Sequence, residues 1–133
     1  MADRYQVGDF MVRNPVCAYM WQPLSFIRQT MLVNSFSYLP VPIDRGSKKE
    51  WKFISDFRLS QFLRRNGKIE KDRLVQLLQD VVNSGEIELH SAKTCGPCDK
   101  IESLLSERDG LPTLILSLDK NELLGILTPF DLL

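Results

Sequence analysis

Two short segments of the chain place a hydroxyl residue three positions before a residue that can carry charge. The first pair is Ser55 with Arg58, and the second is Thr128 with Asp131. A hydroxyl at the start of a helix caps backbone N–H groups and can also hydrogen-bond a phosphate. Three residues are nearly one helical turn, so the second side chain lies on the same face. Each pair is therefore a candidate for a ligand site or for an ordinary helix cap.

The second candidate for chemistry is Cys-Gly-Pro-Cys at residues 95–98, the sequence of a thioredoxin active site. The thiol of Cys95 at a helix N-terminus would ionise easily, and that of Cys98 could resolve a mixed disulfide. Too few residues separate Cys98 from Pro112 for the strand-helix-strand of a thioredoxin, and Thr94 stands where an aromatic residue is usual. Gly-Pro at 96–97 can instead start a helix. A thiol-disulfide protein or redox switch stays an alternative function.

Composition excludes several classes of protein. The 133 residues carry 17 basic and 17 acidic side chains, a net charge of zero, which argues against nucleic acid as a partner. The N-terminus lacks the features of a secretory signal, and no apolar run is long enough to cross a membrane. An odd cysteine count of three suits a reducing compartment. The sequence predicts a soluble cytoplasmic protein with no membrane contact.

Neither a metal site nor catalysis by the single histidine is predicted. Cys95, Cys98 and His90 lack a fourth soft ligand nearby in the sequence, unless Cys17 joins them in the fold. His90 also has no serine or cysteine partner at a recognisable spacing, so we expect a surface or capping residue. We predict a protein that is not an enzyme.

Both hydroxyl pairs end a pattern that occurs twice. Leu-Pro at 39–40 leads through a polar turn to Ser55, and Leu-Pro at 111–112 leads at nearly the same spacing to Thr128. Internal duplication predicts two similar units. We assign residues 1–66 to the first unit, 67–86 to a linker helix and 87–133 to the second unit.

Hydrophobic periodicity predicts the order β-α-β-β-α in each unit. In the first unit the expected elements are a strand at 16–20, a helix from Pro23, strands at 39–43 and 51–54, and a helix after Ser55. A single helix over 70–83 links the units. The expected elements of the second unit are a strand at 87–89, a helix at 99–107, strands at 114–118 and 123–127, and barely a first turn of the last helix.

This ordered set resembles a tandem pair of cystathionine-β-synthase (CBS) domains, the Bateman module, over nearly the whole chain. The matching segments are residues 7–11, 14–16, 39–41 and 54–56 in the first copy, and 111–112 and 125–133 in the second. The resemblance implies an α+β fold of two β-α-β-β-α units, packed as a pseudo-two-fold pair with clefts between them. We expect the final helix of the second unit to be truncated.

The resemblance also implies a non-catalytic regulatory module that binds an adenosine-type ligand: AMP, ADP, ATP or S-adenosylmethionine. It implies no required cofactor, a homodimer and a regulated partner protein that the sequence does not name. In this family the hydroxyl faces phosphate or ribose, and the carboxylate three positions later takes the ribose hydroxyls. Thr128 and Asp131 fit that pattern, and the predicted site adds Ile126 and, from the other copy, Val16, Phe36, Ser37 and Tyr38.

The first copy departs from the pattern at Arg58, because a guanidinium has no acceptor for ribose hydroxyls. The acidic groups expected opposite Ser55 and Arg58 are Glu88 and Asp109, and we expect them to pair with Arg58. We predict that this degenerate second cleft is empty or holds a ligand other than a nucleotide. A dimerisation module without any ligand is the remaining alternative.

Overall fold

A computed structural model describes residues 5–13, 15–100, 111–128, 131 and 133. It divides into two compact units. The C-terminal unit comprises Met1–Pro15, Gly46–Lys49 and Ala92–Leu133, and the central unit comprises Val16–Arg45 and Glu50–Ser91. These ranges differ from the predicted division: the N-terminal segment belongs with the second repeat, and residues 67–86 lie inside the central unit.

The elements combine strands and helices, so the predicted α+β class is confirmed. In chain order they are a 3-10 turn at Val7–Asp9, β1 (Val12–Arg13), α1 (Leu24–Asn34), β2 (Tyr38–Arg45), β3 (Lys48–Ser55), α2 (Asp56–Leu63), β4 (Arg64–Arg65), β5 (Lys68–Ile69), α3 (Lys71–Leu74), α4 (Leu78–Asn83), β6 (His90–Ser91), β7 (Lys93–Cys95), β8 (Thr113–Leu116) and β9 (Leu123–Leu127). Residues 99 and 100 of the helix predicted at 99–107 are not helical, and the rest of that helix and most of the last predicted turn lie outside the described residues.

In the central unit, α1 and α2 enclose a core with a three-stranded sheet of order β2-β3-β6. The apolar stripe predicted for α1 is confirmed, because Leu24, Ile27 and Met31 are its buried residues. The helix ends at Ser35, which adopts the left-handed conformation with φ of 56°. The core also contains, from the rest of this unit, Leu39, Val41, Ile54, Leu59, Phe62, Leu63, Leu78, Val81, Ile87 and Leu89.

The C-terminal unit holds a four-stranded sheet of order β1-β9-β8-β7. The predicted hairpin is present as β8 and β9, which pair antiparallel, while β7 runs parallel to β8. The strand β1 pairs antiparallel with β9, placing Val12 opposite Ile126. Its small core contains Val7, Met11, Ile115 and Leu127.

Backbone hydrogen bonds between distant segments explain why the units differ from the predicted ranges. In the C-terminal unit, the N–H of Val7 donates to the carbonyl of Asp99 at 2.9 Å, and the N–H of Gly8 donates to that of Pro97 at 2.8 Å. The second repeat is thus packed against the N-terminal segment, which precedes the first repeat in the sequence. Local periodicity carries no information about such long-range pairing.

In the central unit, the first repeat is likewise hydrogen-bonded to the segment that precedes the second repeat. These bonds interrupt the predicted helix at 70–83. Leu24 N–H donates to the carbonyl of Gln76, and Leu78 N–H donates to that of Gln22, both at 2.9 Å. Leu77 is held extended, with φ of −82° and ψ of 146°. The predicted single helix is therefore wrong, and two short helices, α3 and α4, stand in its place.

Two predicted strands are also wrong. Residues 16–20 form no strand, although Ala18 N–H donates to the carbonyl of Pro40 at 2.9 Å. Residues 87–89 precede the strand, which forms at His90–Ser91 instead. Ile87 and Leu89 are apolar because they enter the core, not because they pair in a sheet.

Within the part of the chain that the structure describes, no helix is both long enough and apolar enough to cross a membrane.

Gly125 provides a test of the packing between β1 and β9. A Cβ atom on this residue would lie 2.6 Å from the Sδ atom of Met11 and 2.9 Å from the backbone oxygen of Val12. The thioether can move, but the carbonyl belongs to the paired strand. We expect Gly125→Ala to lower the free energy of unfolding by about 1–3 kcal/mol, the usual cost of overpacking, measured by urea denaturation.

Gly96→Ala is the matched control, because the nearest atom to its added Cβ is 3.9 Å away. We expect it to change the free energy of unfolding by less than about 1 kcal/mol. Equal stability of the Gly125→Ala variant and the natural protein would show that β1 is not held against β9 in this way.

Candidate functional site

Ser55 ends β3 and caps α2. Its backbone is extended, with φ of −100° and ψ of 153°, and its Oγ atom accepts a hydrogen bond from the N–H of Arg58 at 3.2 Å. The residue is only 4% exposed. The helix cap that the sequence predicts at this position is therefore present, and it occupies one acceptor site of the hydroxyl.

His90 lies beside Ser55, with 3.1 Å between His90 Nε2 and Ser55 Oγ. The contact follows from strand register, since β6 pairs antiparallel with β3 and places His90 opposite Phe53. The spacing of residues in the sequence does not indicate this hydroxyl partner, because the pairing joins residues that are far apart in the chain. The serine is buried and engaged in a helix cap, so the pair acts structurally rather than as a nucleophile with its base.

The environment of His90 favours the neutral imidazole. Burial is the main cause that lowers the pKa of His90 below its ordinary value of 6.5, and the positive charge of Arg58 lowers it further. The carboxylate of Glu88 acts in the opposite direction. The edge of the ring also packs against Tyr38, with centroids 6.1 Å apart.

Arg58 reaches Glu88, but not in the predicted way. Its Nη1 atom donates to the backbone carbonyl of Glu88 at 2.6 Å. Among the described residues no carboxylate forms an ion pair with this guanidinium, and Asp109 lies outside them. The predicted ion pair between Arg58 and the Glu88 carboxylate is therefore wrong. Glu88 lies in an irregular segment whose backbone carbonyl is within reach of α2, and its side chain stays exposed.

Thr128 and Asp131 are brought together at the end of β9. The Oδ2 atom of Asp131 accepts hydrogen bonds from the N–H of Thr128 at 2.8 Å and from its hydroxyl at 3.0 Å. The N–H of Asp131 in turn donates to the Thr128 carbonyl at 3.0 Å. Both side chains are half-buried. The hydroxyl and the carboxylate thus share one turn and one face.

This second pair keeps hydrogen-bonding capacity that the first pair has lost. The described residues donate no hydrogen bond to Oδ1 of Asp131, and the Thr128 oxygen retains its lone pairs. Ser55 differs because its oxygen contacts both the helix N–H and a histidine. An incoming hydroxyl group could donate to Oδ1 of Asp131 without displacing a hydrogen bond from any described residue.

The other predicted ligand residues occupy two places. Ile126 lies in β9, opposite Leu114 and Val12. Val16 and Phe36 are exposed positions of the central unit.

Ser37 and Tyr38 also belong to the central unit. The carbonyl of Ser37 accepts the N–H of Asp56 at 2.9 Å. The Tyr38 ring, at the start of β2, meets Phe53 edge-on with centroids 6.1 Å apart. Their assignment to one site with Thr128 and Asp131 stays a prediction.

The Cys-Gly-Pro-Cys segment has a structural role in the C-terminal unit. Cys95 ends β7 and packs against the core, while Cys98 is exposed. A Cβ atom on Gly8 would lie 3.1 Å from the carbonyl oxygen of Pro97, so the N-terminal segment docks closely on this turn. Burial, together with the Asp99 carboxylate, raises the pKa of the Cys95 thiol to about 11. An attacking cysteine needs the opposite shift.

Within residues 5–13, 15–100 and 111–128 and positions 131 and 133, no group of three or more histidine, cysteine or acidic side chains could hold a metal ion.

The burial of His90, together with the positive charge of Arg58, makes stability depend on pH. Because the folded protein lowers the pKa of His90, the unfolded chain binds protons more readily, and stability is lost as pH falls below about 6.5. We expect the free energy of unfolding to be smaller at about pH 5.5 than at about pH 7.5. His90→Gln keeps a side-chain donor near Ser55 but does not titrate, so it should reduce that difference.

The chain has one histidine, so no other side chain of this type contributes in the same range. Urea denaturation at both pH values, on both proteins, measures the effect. An identical pH dependence in the two proteins would contradict the assigned environment of His90. Ser55→Ala serves as a second variant, and we expect it to lower stability by about 1 kcal/mol through loss of the cap.

Comparison with known proteins identifies the fold. No protein-family model and no curated protein sequence matches the chain. Among solved structures, a CBS domain-containing protein from Bacillus anthracis superimposes with a TM-score of 0.73 at 18% identity, covering 96% of this chain and 89% of that one. CBSX2 in complex with AMP gives a TM-score of 0.67 at 20% identity, covering 96% and 92%.

A third structure is the CBS domain pair of protein MJ0100 in complex with 5′-methylthioadenosine and S-adenosyl-L-methionine. It gives a TM-score of 0.65 at 16% identity and covers 96% of both chains. At these identities the similarity establishes architecture and not ligand. The repeated elements, their strand pairing and these superpositions agree, and the chain has the fold of a tandem CBS domain pair.

Proposed function

We propose that this protein is a non-catalytic regulatory module that binds an adenosine-type ligand through Thr128 and Asp131. The ligand is AMP, ADP, ATP or S-adenosylmethionine, and Ile126 contributes from the same unit. Val16, Phe36, Ser37 and Tyr38 are the contributors proposed from the central unit. Ligand occupancy would be passed to a partner protein in the cytoplasm.

The observation that carries this proposal is the arrangement of the Thr128 and Asp131 side chains. One carboxylate oxygen of Asp131 accepts two hydrogen bonds from Thr128, and no residue in the described part of the chain donates to the other oxygen. A ribose offers two adjacent hydroxyl donors, which such an oxygen can accept. The Thr128 hydroxyl can rotate away from Asp131 and donate to a phosphate or ribose oxygen instead.

Two of the similar structures support the choice of ligand class. CBSX2 was solved with AMP, and the domain pair of MJ0100 was solved with 5′-methylthioadenosine and S-adenosyl-L-methionine. The adenosine group is common to all three molecules. The redox alternative lacks comparable support, because the raised pKa of Cys95 leaves very little thiolate at neutral pH.

Thermal unfolding with each of the four ligands tests the proposal. A ligand at 100 times its Kd should stabilise the natural protein by about 2.7 kcal/mol. We expect Asp131→Ala and Thr128→Ala to lose most of this stabilisation, because the ribose acceptor or the phosphate donor is removed. Each shift is measured against the same variant without ligand, because both substitutions also weaken the turn.

Asp44→Ala is the matched control, since it removes an exposed carboxylate from the end of β2. It should respond to ligand as the natural protein does. A ligand-induced shift that survives in Asp131→Ala would refute the assigned site. The absence of any shift with all four ligands would leave the ligand-free dimerisation module as the better description.

We also propose that the protein is a homodimer. The helices α1 and α2 leave Phe26, Leu32, Val33 and Phe57 each more than half exposed. Leu32 also lines a cavity of about 160 Å³ between these helices, together with Met31 and Leu59. Exposed apolar side chains gathered on two neighbouring helices are typical of an interface. A second copy of the chain is the occupant we propose.

Light scattering coupled to size exclusion tests the dimer. The natural protein should have twice the chain mass of 15.3 kDa. We expect Leu32→Glu to shift the protein to the monomer mass, because a carboxylate would be buried without a partner. Leu118→Glu is the control, since this leucine is fully exposed in a turn of the C-terminal unit. A natural protein that elutes as a monomer contradicts the proposal.

A further inference from the structure

The central unit contains a polar cavity that the proposed adenosine site does not use. Its volume is about 500 Å³, within the range of about 300–1,000 Å³ usual for small-molecule pockets. Arg58 and Gln61 reach it from α2, and Arg73 reaches it from α3. Glu86 and Glu88 line it from the segment between α4 and β6.

The two guanidinium groups are held in place by backbone carbonyls. Arg58 donates through Nη1 to the carbonyl of Glu88, and Arg73 donates through Nη1 to the carbonyl of Phe62. The Cζ atom of Arg73 also lies 4.8 Å from the centroid of the Phe62 ring, a cation–π contact. These contacts fix the positions of both charges and leave most of their N–H donors available.

Neither guanidinium is neutralised by a carboxylate of the described residues. The ion pairs found there join Glu50 to Arg45 and to Lys52. Both Arg58 and Arg73 are half-buried, so their charges are less well solvated than those of surface side chains. Two fixed cations that face one cavity attract an anion more strongly than either does alone.

The glutamates of the same cavity limit how much negative charge a ligand can carry. Glu86 accepts a hydrogen bond from the Ser84 hydroxyl at 2.8 Å, and the side chain of Glu88 is exposed. The formal charges of two arginines and two glutamates cancel, so a polyphosphate is disfavoured. A compact group with one or two negative charges suits the cavity better.

We propose that this cavity binds the oxyanion group of a small molecule, a carboxylate or a phosphate, through Arg58 and Arg73. A planar guanidinium donates two parallel hydrogen bonds to such a group. The Gln61 side-chain amide can add a further donor. The site does not involve Thr128 or Asp131, so it does not depend on the proposed adenosine site.

Amide chemical shifts, followed by NMR at constant ionic strength, test this site. Inorganic phosphate and succinate are titrated separately, with sodium chloride as the reference salt. We expect saturable shifts for residues 58–62, 73 and 85–88 with at least one of the two anions. The anion that gives them distinguishes a phosphate group from a carboxylate group as the natural ligand.

Arg58→Gln and Arg73→Gln should each raise the Kd for that anion by about tenfold or more, because each removes a charged donor. Arg73→Lys keeps the charge but loses the paired donors, so we expect an intermediate Kd. Arg65→Gln is the matched control, since Arg65 is exposed in β4 and does not line the cavity. Its Kd should stay within about twofold of the natural value.

Three results would overturn the proposal: no saturable shift with either anion, an unchanged Kd in both glutamine variants, or an equal loss of binding in Arg65→Gln. If Arg58→Gln fails to fold, the two Arg73 variants decide the outcome. The two proposed sites are separable. The Asp131→Ala variant should keep its response to the anion, and the Arg73→Gln variant should keep its response to the adenosine ligand.

Discussion

The fold depends on backbone hydrogen bonds that join each repeat to a segment preceding the other repeat in the sequence. The N–H groups of Val7 and Gly8 donate to carbonyls at residues 97 and 99, and β1 then adds to the edge of β9. Closing such long loops costs chain entropy, which the burial of Val7 and Met11 must offset. The pairing is possible only where the backbones approach closely, and the glycines at positions 8 and 125 permit this approach.

The same pairing determines what each hydroxyl residue meets. In the central unit, β6 borders β3 and places His90 opposite Phe53, so an imidazole lies within hydrogen-bond distance of Ser55. In the C-terminal unit, β1 borders β9 and places Val12 opposite Ile126. The side chain of Val12 has no polar atom. The Thr128 hydroxyl donates instead to the carboxylate of its own turn.

The sequence predicted the features that depend on local chemistry and on repetition. Apolar spacing located α1, the turn residues located the β8-β9 hairpin, and the hydroxyl at residue 55 marked the start of α2. The sequence did not reveal that Leu77 leaves the helical conformation, because its cause is a backbone pairing with Pro23. The histidine beside Ser55 was missed for the same reason. Contacts set by strand register between distant segments leave no local pattern.

The cysteine motif shows how one short sequence can satisfy two different requirements. A redox site needs an accessible first thiol of low pKa. Here the first thiol packs against a core, and the intervening carbonyl accepts a hydrogen bond from the N-terminal segment. The Asp99 carboxylate beside Cys95 disfavours the thiolate further. The surroundings of Cys95, not the spacing of the cysteines, decide its chemistry.

Arg58 stands where the CBS pattern would place an aspartate, and it affects the central unit by more than the lack of one acceptor. A carboxylate there could receive ribose hydroxyls, whereas the guanidinium contributes positive charge that disfavours protonation of His90. The imidazole lies beside Ser55, whose oxygen also accepts the capping hydrogen bond from the N–H of Arg58. The guanidinium itself donates a hydrogen bond to the carbonyl of Glu88 and lines the polar cavity. Arg58 therefore lacks the acceptor that ribose hydroxyls need, and it contributes one of the two cations of the proposed anion site.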